Sequence, residues 1–70
     1  MDAVRLTRVR RLVESGAARA IRESAGLSLS EASAGARVNR ITIHRWEQGQ
    51  RRPHGEAALR YLALLEELSR

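Results

Sequence analysis

The sequence predicts an all-α fold of about five helices, with an extra basic helix at the N-terminus and a long helix at the C-terminus. Three observations carry the prediction. Apolar residues recur at three- and four-residue spacing, which is the period of a helix rather than the alternation of a strand. Helix starts and stops punctuate the chain: Ser28 with Glu31 three residues on, Asn39, and glycines at 16, 26 and 49. Finally, the 70 residues contain no cysteine, no serine- or glycine-rich tract and no internal repeat. One domain over residues 1–70 is therefore expected, near the lower size limit for folding without staples. Its core has to come from aliphatic packing, with a dimer interface as a supplement.

Each element has its own warrant. In residues 2–14, Val4, Leu6, Val9, Leu12 and Val13 form an apolar stripe, and Arg5, Arg8, Arg10 and Arg11 cover the remainder. Residues 1–15 thus read as an extra basic helix, with Ser15-Gly16 as a stop or a bend. Residues 17–25 form a second helix with Ala20 and Ile21 facing inward, ended by Gly26. Ser28 and Glu31 make a capping box, in which hydroxyl and carboxylate each satisfy a backbone N–H that has no partner within the helix. The helix they open ends near Ala36. Its inward positions are only Ala32 and Ala36, so its core is thin, and the N-terminal helix is the candidate to thicken it. Asn39 caps a further helix from Arg40 to about Gln48, with Gly49 placed to end it. Residues 17–53 form the core unit, and residues 28–48 its helix–turn–helix. Residues 55–70 read as one long helix in which Leu59, Leu62, Leu65 and Leu68 recur every third position. Tyr61 and Leu64 widen that stripe. So much leucine suggests a homodimer surface through Tyr61, Leu62, Leu65 and Leu68, with packing inside the domain as the alternative.

The helix from Arg40 has two unlike faces. Ile43 and Trp46, with Val38 just before, point one way. Arg40, Ile41, His44 and Arg45 point the other, setting two guanidinium forks beside an aliphatic side chain. That is suitable chemistry for reading base edges in a DNA major groove. Residues 26–53 resemble the helix-turn-helix of the phage repressor and Cro-like family, also called the xenobiotic-response-element family. The resemblance lies in the Gly26-Leu27-Ser28 opening and the turn at Arg37-Val38. It continues in Asn39-Arg40-x-Thr42-Ile43 and in the tail Trp46-Glu47-x-Gly49-x-Arg51-Arg52-Pro53. With Ala20-Ile21-Arg22-Glu23 it covers about residues 17–62.

This resemblance implies a compact repressor-like domain and particular roles for its residues. Base readout falls to Arg40, Ile41 and Arg45, with Thr42 at the edge of base or phosphate reach. Ile41 is placed against a thymine methyl. Phosphate contacts fall to Ser28, Asn39, His44, Gln50, Arg51 and Arg52. Arg22 and Glu47 would form an ion pair tying two helices together. Three departures matter. Leu29 replaces a glutamine that commonly reaches phosphate, Ser33 replaces a small apolar residue, and Arg37 stands where glycine is preferred at a turn favouring positive φ. Arg5, Arg8 and Arg11 are further candidates for DNA contact, against the plainer reading of a solvated face.

Charge supports this distribution. The formal net charge is +5, and all 13 basic residues are arginine. Residues 37–52 hold five of them against Glu47 alone, whereas residues 53–70 are mildly acidic. Arginine suits bidentate contact with phosphate and guanine, although a GC-rich genome also favours it over lysine. No catalytic constellation is visible. His44 and His54 are too far apart and too poorly accompanied for zinc, and no phosphate-binding loop is present. No enzyme activity, metal, cofactor or small-molecule ligand is expected. With no membrane span or signal segment, the expected location is cytoplasmic, on the nucleoid. The functional expectation is a transcriptional regulator that binds double-stranded DNA through the major groove. It would be a compact phage or prophage repressor or Cro-like protein acting by operator occupancy. The alternatives are the antitoxin of a toxin–antitoxin pair and a protein-interaction adaptor on the same fold.

Overall fold

The structure, a computed structural model, describes residues 2–70. Five helices follow one another: α1 Asp2–Glu14, α2 Ala17–Ser24, α3 Leu29–Ala36, α4 Arg40–Glu47 and α5 Gly55–Leu68. Gly16, with φ of 83°, breaks α1 from α2, a left-handed conformation that favours glycine. Three-residue turns at most separate α1 from α2 and α3 from α4, so each pair must cross rather than stack end to end.

The core gathers Val9 and Val13 of α1, Ala18 of α2, Ala32 and Ala36 of α3, and Ile43 and Trp46 of α4. Against them α5 sets Ala58, Tyr61, Leu62 and Leu65. Trp46 and Tyr61 meet with ring centroids 5.5 Å apart, at a tilt of 41°, a geometry favourable for aromatic pairs. No described helix is long and apolar enough to cross a membrane.

Three expectations need correction. In α2 the inward alanine is Ala18, fully buried, while Ala20 is exposed. The α2 axis is turned so that Arg22, four residues beyond Ala18, also faces inward. Secondly, the thin α3 is supported by α4 and α5, not principally by α1. The side of α3 at Gly35 comes so close to α5 that a Cβ there would lie 3.3 Å from Leu64 Cδ1. Thirdly, the proposed dimer stripe is interior. Tyr61 and Leu62 have no exposed surface and Leu65 has 1%, while Leu68 is half-buried. The leucine repeat of α5 is consumed by α1, α2 and α3, which wrap it.

Candidate nucleic-acid interface

The turn before α4 is built from backbone requirements. The capping box at α3 is closed in both directions: Glu31 N–H donates to Ser28 Oγ at 3.0 Å, and Ser28 N–H to Glu31 Oε1 at 2.9 Å. The second of these bonds, from the Ser28 backbone N–H, is the chief cause that holds the Glu31 carboxylate below its ordinary range. At the other end of α3, Arg37 takes φ 57°, ψ 45°, the only non-glycine residue at positive φ among those described. A residue with a Cβ in that conformation costs on the order of 1 kcal/mol. Arg60 of α5 compensates locally. Its guanidinium donates to Ala36 O at 3.3 Å and Arg37 O at 3.0 Å, satisfying carbonyls that α3 leaves without helical partners. Nothing in the sequence singled out Arg60, because a lone arginine in a leucine-rich helix carries no local signal.

Asn39 opens α4, its Oδ1 accepting from Ile41 N–H at 2.8 Å. The side-chain amide keeps its two N–H donors. Ile43 and Trp46 turn into the core, while Arg40, Ile41, His44 and Arg45 are exposed and Thr42 is half-buried. The C-terminus of α4 closes as a Schellman motif: Gln50 N–H reaches Arg45 O at 2.9 Å and Gly49 N–H reaches Trp46 O at 3.1 Å, with Gly49 at φ 75°. This turn sends Gln50, Arg51 and Arg52 away from the core, all exposed. Pro53 then buries, and Arg10 of α1 donates to its carbonyl at 2.8 Å. Arg10 was not among the candidate site residues, yet it braces the loop that carries three of them.

A buried ion pair fixes the height of α4 over the core. Arg22 Nε and Nη2 donate to Glu47 Oε2 and Oε1 at 2.7 and 2.9 Å, a bidentate fork. The Glu47 side chain is 1% exposed and that of Arg22 10%. Arg22 Nη1 also donates to Leu27 O at 2.8 Å, and Tyr61 Oη to Glu47 Oε2 at 3.3 Å. Every polar atom of the cluster is therefore satisfied. The hydrogen bonds that Arg22 donates to Glu47 raise the Arg22 pKa above its usual value, and burial followed by the Glu47 charge raises that of Tyr61.

The remaining candidates divide. Arg5 donates to Leu59 O at 3.4 Å and Arg8 pairs with Glu66 at 2.9 Å, so both face α5 rather than the α4 surface. Arg11 is exposed and makes no hydrogen bond or ion pair with a described residue. Ser28 is exposed, but its hydroxyl lone pair and backbone N–H are engaged in the capping box, leaving the hydroxyl proton free. Among the described residues, no group of three histidines, cysteines or acidic residues is placed to hold a metal ion.

Taken together, a short two-helix crossing pinned from beneath, with a basic outer face and a basic loop after it, defines a helix-turn-helix module. The sequence model of the helix-turn-helix domain family matches residues 15–68. The chain belongs to that family of DNA-binding domains, and α1 lies entirely before the matched segment. No curated protein and no solved structure matches the chain.

Proposed function

We propose that this chain is a sequence-specific, double-stranded DNA-binding transcriptional regulator of the compact repressor or Cro-like kind, acting by operator occupancy. One observation carries the reading. Of the 13 arginines, Arg5, Arg8, Arg10, Arg19, Arg22, Arg60 and Arg70 bond to carbonyls or carboxylates of the chain itself. The six without such a partner are Arg11, Arg37, Arg40, Arg45, Arg51 and Arg52, and five of these fall within residues 37–52. The exposed face of α4 and the loop after it thus hold cations that no group among the described residues pairs with.

In this reading Arg40 and Arg45 fork onto guanine O6 and N7, Ile41 lies against a thymine methyl, and Thr42 reaches base or phosphate. Asn39 gives its amide protons to phosphate at the α4 N-terminus, where backbone N–H groups already favour anions. His44, Gln50, Arg51 and Arg52 lie along the backbone, with Ser28 contributing its hydroxyl proton; these contacts set register without reading sequence. An antitoxin would keep a leucine-rich C-terminus exposed for its partner protein, whereas Tyr61, Leu62 and Leu65 are interior. Nothing observed favours it.

Selection from a random duplex library at moderate salt tests the proposal. An enriched motif whose affinity falls steeply with salt is expected. An inverted repeat with half-sites about 34 Å apart reports two copies on one site, and a lone half-site reports one. Binding without any enriched sequence would falsify the specific-regulator reading.

A further inference from the structure

Two apolar side chains sit on the otherwise polar outer surface of the helix–turn–helix. Ile41 is 52% exposed, one of two large hydrophobic residues left to solvent among those described; the other, Val4, lies on α1. Leu29, the first residue of α3, packs against the core yet remains half-buried. With Arg40 and His44 these two side chains line a shallow notch of about 220 Å³. Ile41 gains nothing for the fold by this position. It is a middling helix former, and its burial is slight compared with that of Ile43 two residues later, which is fully buried.

The notch has hydrocarbon on two walls and a guanidinium at its edge. A phosphate would satisfy Arg40 and His44 but would lose water against Leu29 and Ile41, an unfavourable exchange. The major groove offers one apolar group, the methyl on C5 of a pyrimidine, and it offers guanine O6 and N7 along the same edge. Arg40 and Ile41 are consecutive and border one notch. A methyl seated there therefore belongs to a base pair next to the one whose guanine Arg40 grips.

We propose that Leu29 and Ile41 form a receptor for the 5-methyl group of a pyrimidine adjoining the guanine read by Arg40. Thymine supplies that methyl, and so does 5-methylcytosine, so the protein distinguishes methylated from unmethylated cytosine at this position. The inference rests on the DNA reading of α4 proposed above. It extends that reading by giving Leu29 a role and by making the methyl group itself the recognised feature.

The test uses the full chain and the DNA site obtained by selection. Each thymine is replaced singly by deoxyuridine, which removes only the methyl. One thymine per half-site, next to a guanine, is expected to lose about fourfold in affinity, the worth of one buried methyl. With cytosine placed there, adding its 5-methyl group restores about the same factor. In Ile41→Ala, a change at an exposed site that leaves the core intact, both effects shrink towards none, and Leu29→Gln does the same. Arg40→Ala is expected to relax the preference for the neighbouring guanine and no other. If a site is selected but every uracil replacement is neutral, or the penalty persists in Ile41→Ala, the methyl receptor is wrong and the contact of Ile41 with thymine falls with it, while sequence-specific binding through the arginines stands. If the sensitive thymine has no adjoining guanine, the placement beside Arg40 is wrong. If no sequence is selected, both fall together.

Discussion

The arginines on the α1, α2 and α5 side of the molecule and those in residues 37–52 carry the same group into opposite surroundings. On the first side, helix ends and carboxylates lie within reach. Arg22 finds Leu27 O and Glu47, Arg10 finds Pro53 O, Arg60 finds Ala36 O and Arg37 O, and Arg8 finds Glu66. On the second side, the only acidic residue is Glu47, and its carboxylate is turned inward to Arg22 and Tyr61. Removing that one anion from the surface leaves Arg40, Arg45, Arg51 and Arg52 without an ion-pair partner among the described residues. The same ion pair that pins α4 to the core also keeps its outer face purely cationic. Building and binding are thus separated by the direction one glutamate points.

Breaking the pair is the severest way to test that separation. Arg22→Met leaves the Glu47 carboxylate buried with only the Tyr61 hydroxyl for company, a loss of about 3–5 kcal/mol. A chain of this size has a total stability of about 4–10 kcal/mol. Urea denaturation is expected to find Arg22→Met largely unfolded or close to it at 25 °C, and DNA binding lost for that reason. A drop below about 1 kcal/mol would mean that the pair is not what holds α4 in place.

The converse substitutions lie on the outer face. Arg40→Ala and Arg45→Ala remove no hydrogen bond or ion pair with a described residue, so stability is expected to stay within about 0.5 kcal/mol. Affinity for the selected sequence falls by about 1–3 kcal/mol each, with discrimination relaxed at a single base pair. Titration of the selected and mismatched duplexes separates these losses from a general weakening. If either variant unfolds readily, the division between building and binding arginines is misplaced.

Arg60 tests an intermediate case, since it is half-buried and bonds only to carbonyls. Arg60→Ala frees the end of α3 beside the strained Arg37 turn. Charge-assisted hydrogen bonds are worth about 1.5–3 kcal/mol when buried, and partial exposure reduces this to about 1 kcal/mol. A domain of this size should then melt about 4–8 °C lower. Because the turn sets α4 against α3, DNA affinity is expected to fall with stability rather than independently of it.

How much of this was legible in the sequence depends on whether the cause is local. The capping box of Ser28 and Glu31, the Asn39 cap and the two faces of α4 are set by residues within one or two turns, and their spacing states them. Arg37 at positive φ was legible through the family resemblance, which prefers glycine at that turn. The Arg22–Glu47 pair, 25 residues apart, came only through the family resemblance; no periodicity contains it. The fate of the α5 leucines was not legible. A stripe at every third position looks alike whether it meets another protomer or its own chain, and the answer depended on α1, α2 and α3 closing over it. The roles of Arg10 and Arg60 were hidden for the same reason. Each serves a carbonyl at the end of a distant element, and carbonyls leave no mark in a sequence.

The smallest expected effect lies in the capping box, whose amides are engaged inside the chain rather than offered to an anion. The Ser28 backbone N–H is the chief cause that holds the Glu31 carboxylate below its ordinary value of about 4.5. A carboxylate whose folded pKa lies below its unfolded pKa binds fewer protons in the folded state. Its contribution is therefore whole above the unfolded value and is lost as pH falls through the folded one. Stability measured by urea denaturation should decline as pH drops from about 4.5, and Glu31→Gln, which has no charge to lose, should flatten that part of the decline. The same variant removes a negative charge from the helix-turn-helix, so at neutral pH its DNA affinity should stay level or rise slightly. A fall in affinity with stability unchanged would mean that the carboxylate takes part in recognition, and that the boundary between building and binding groups runs through α3 as well as α4.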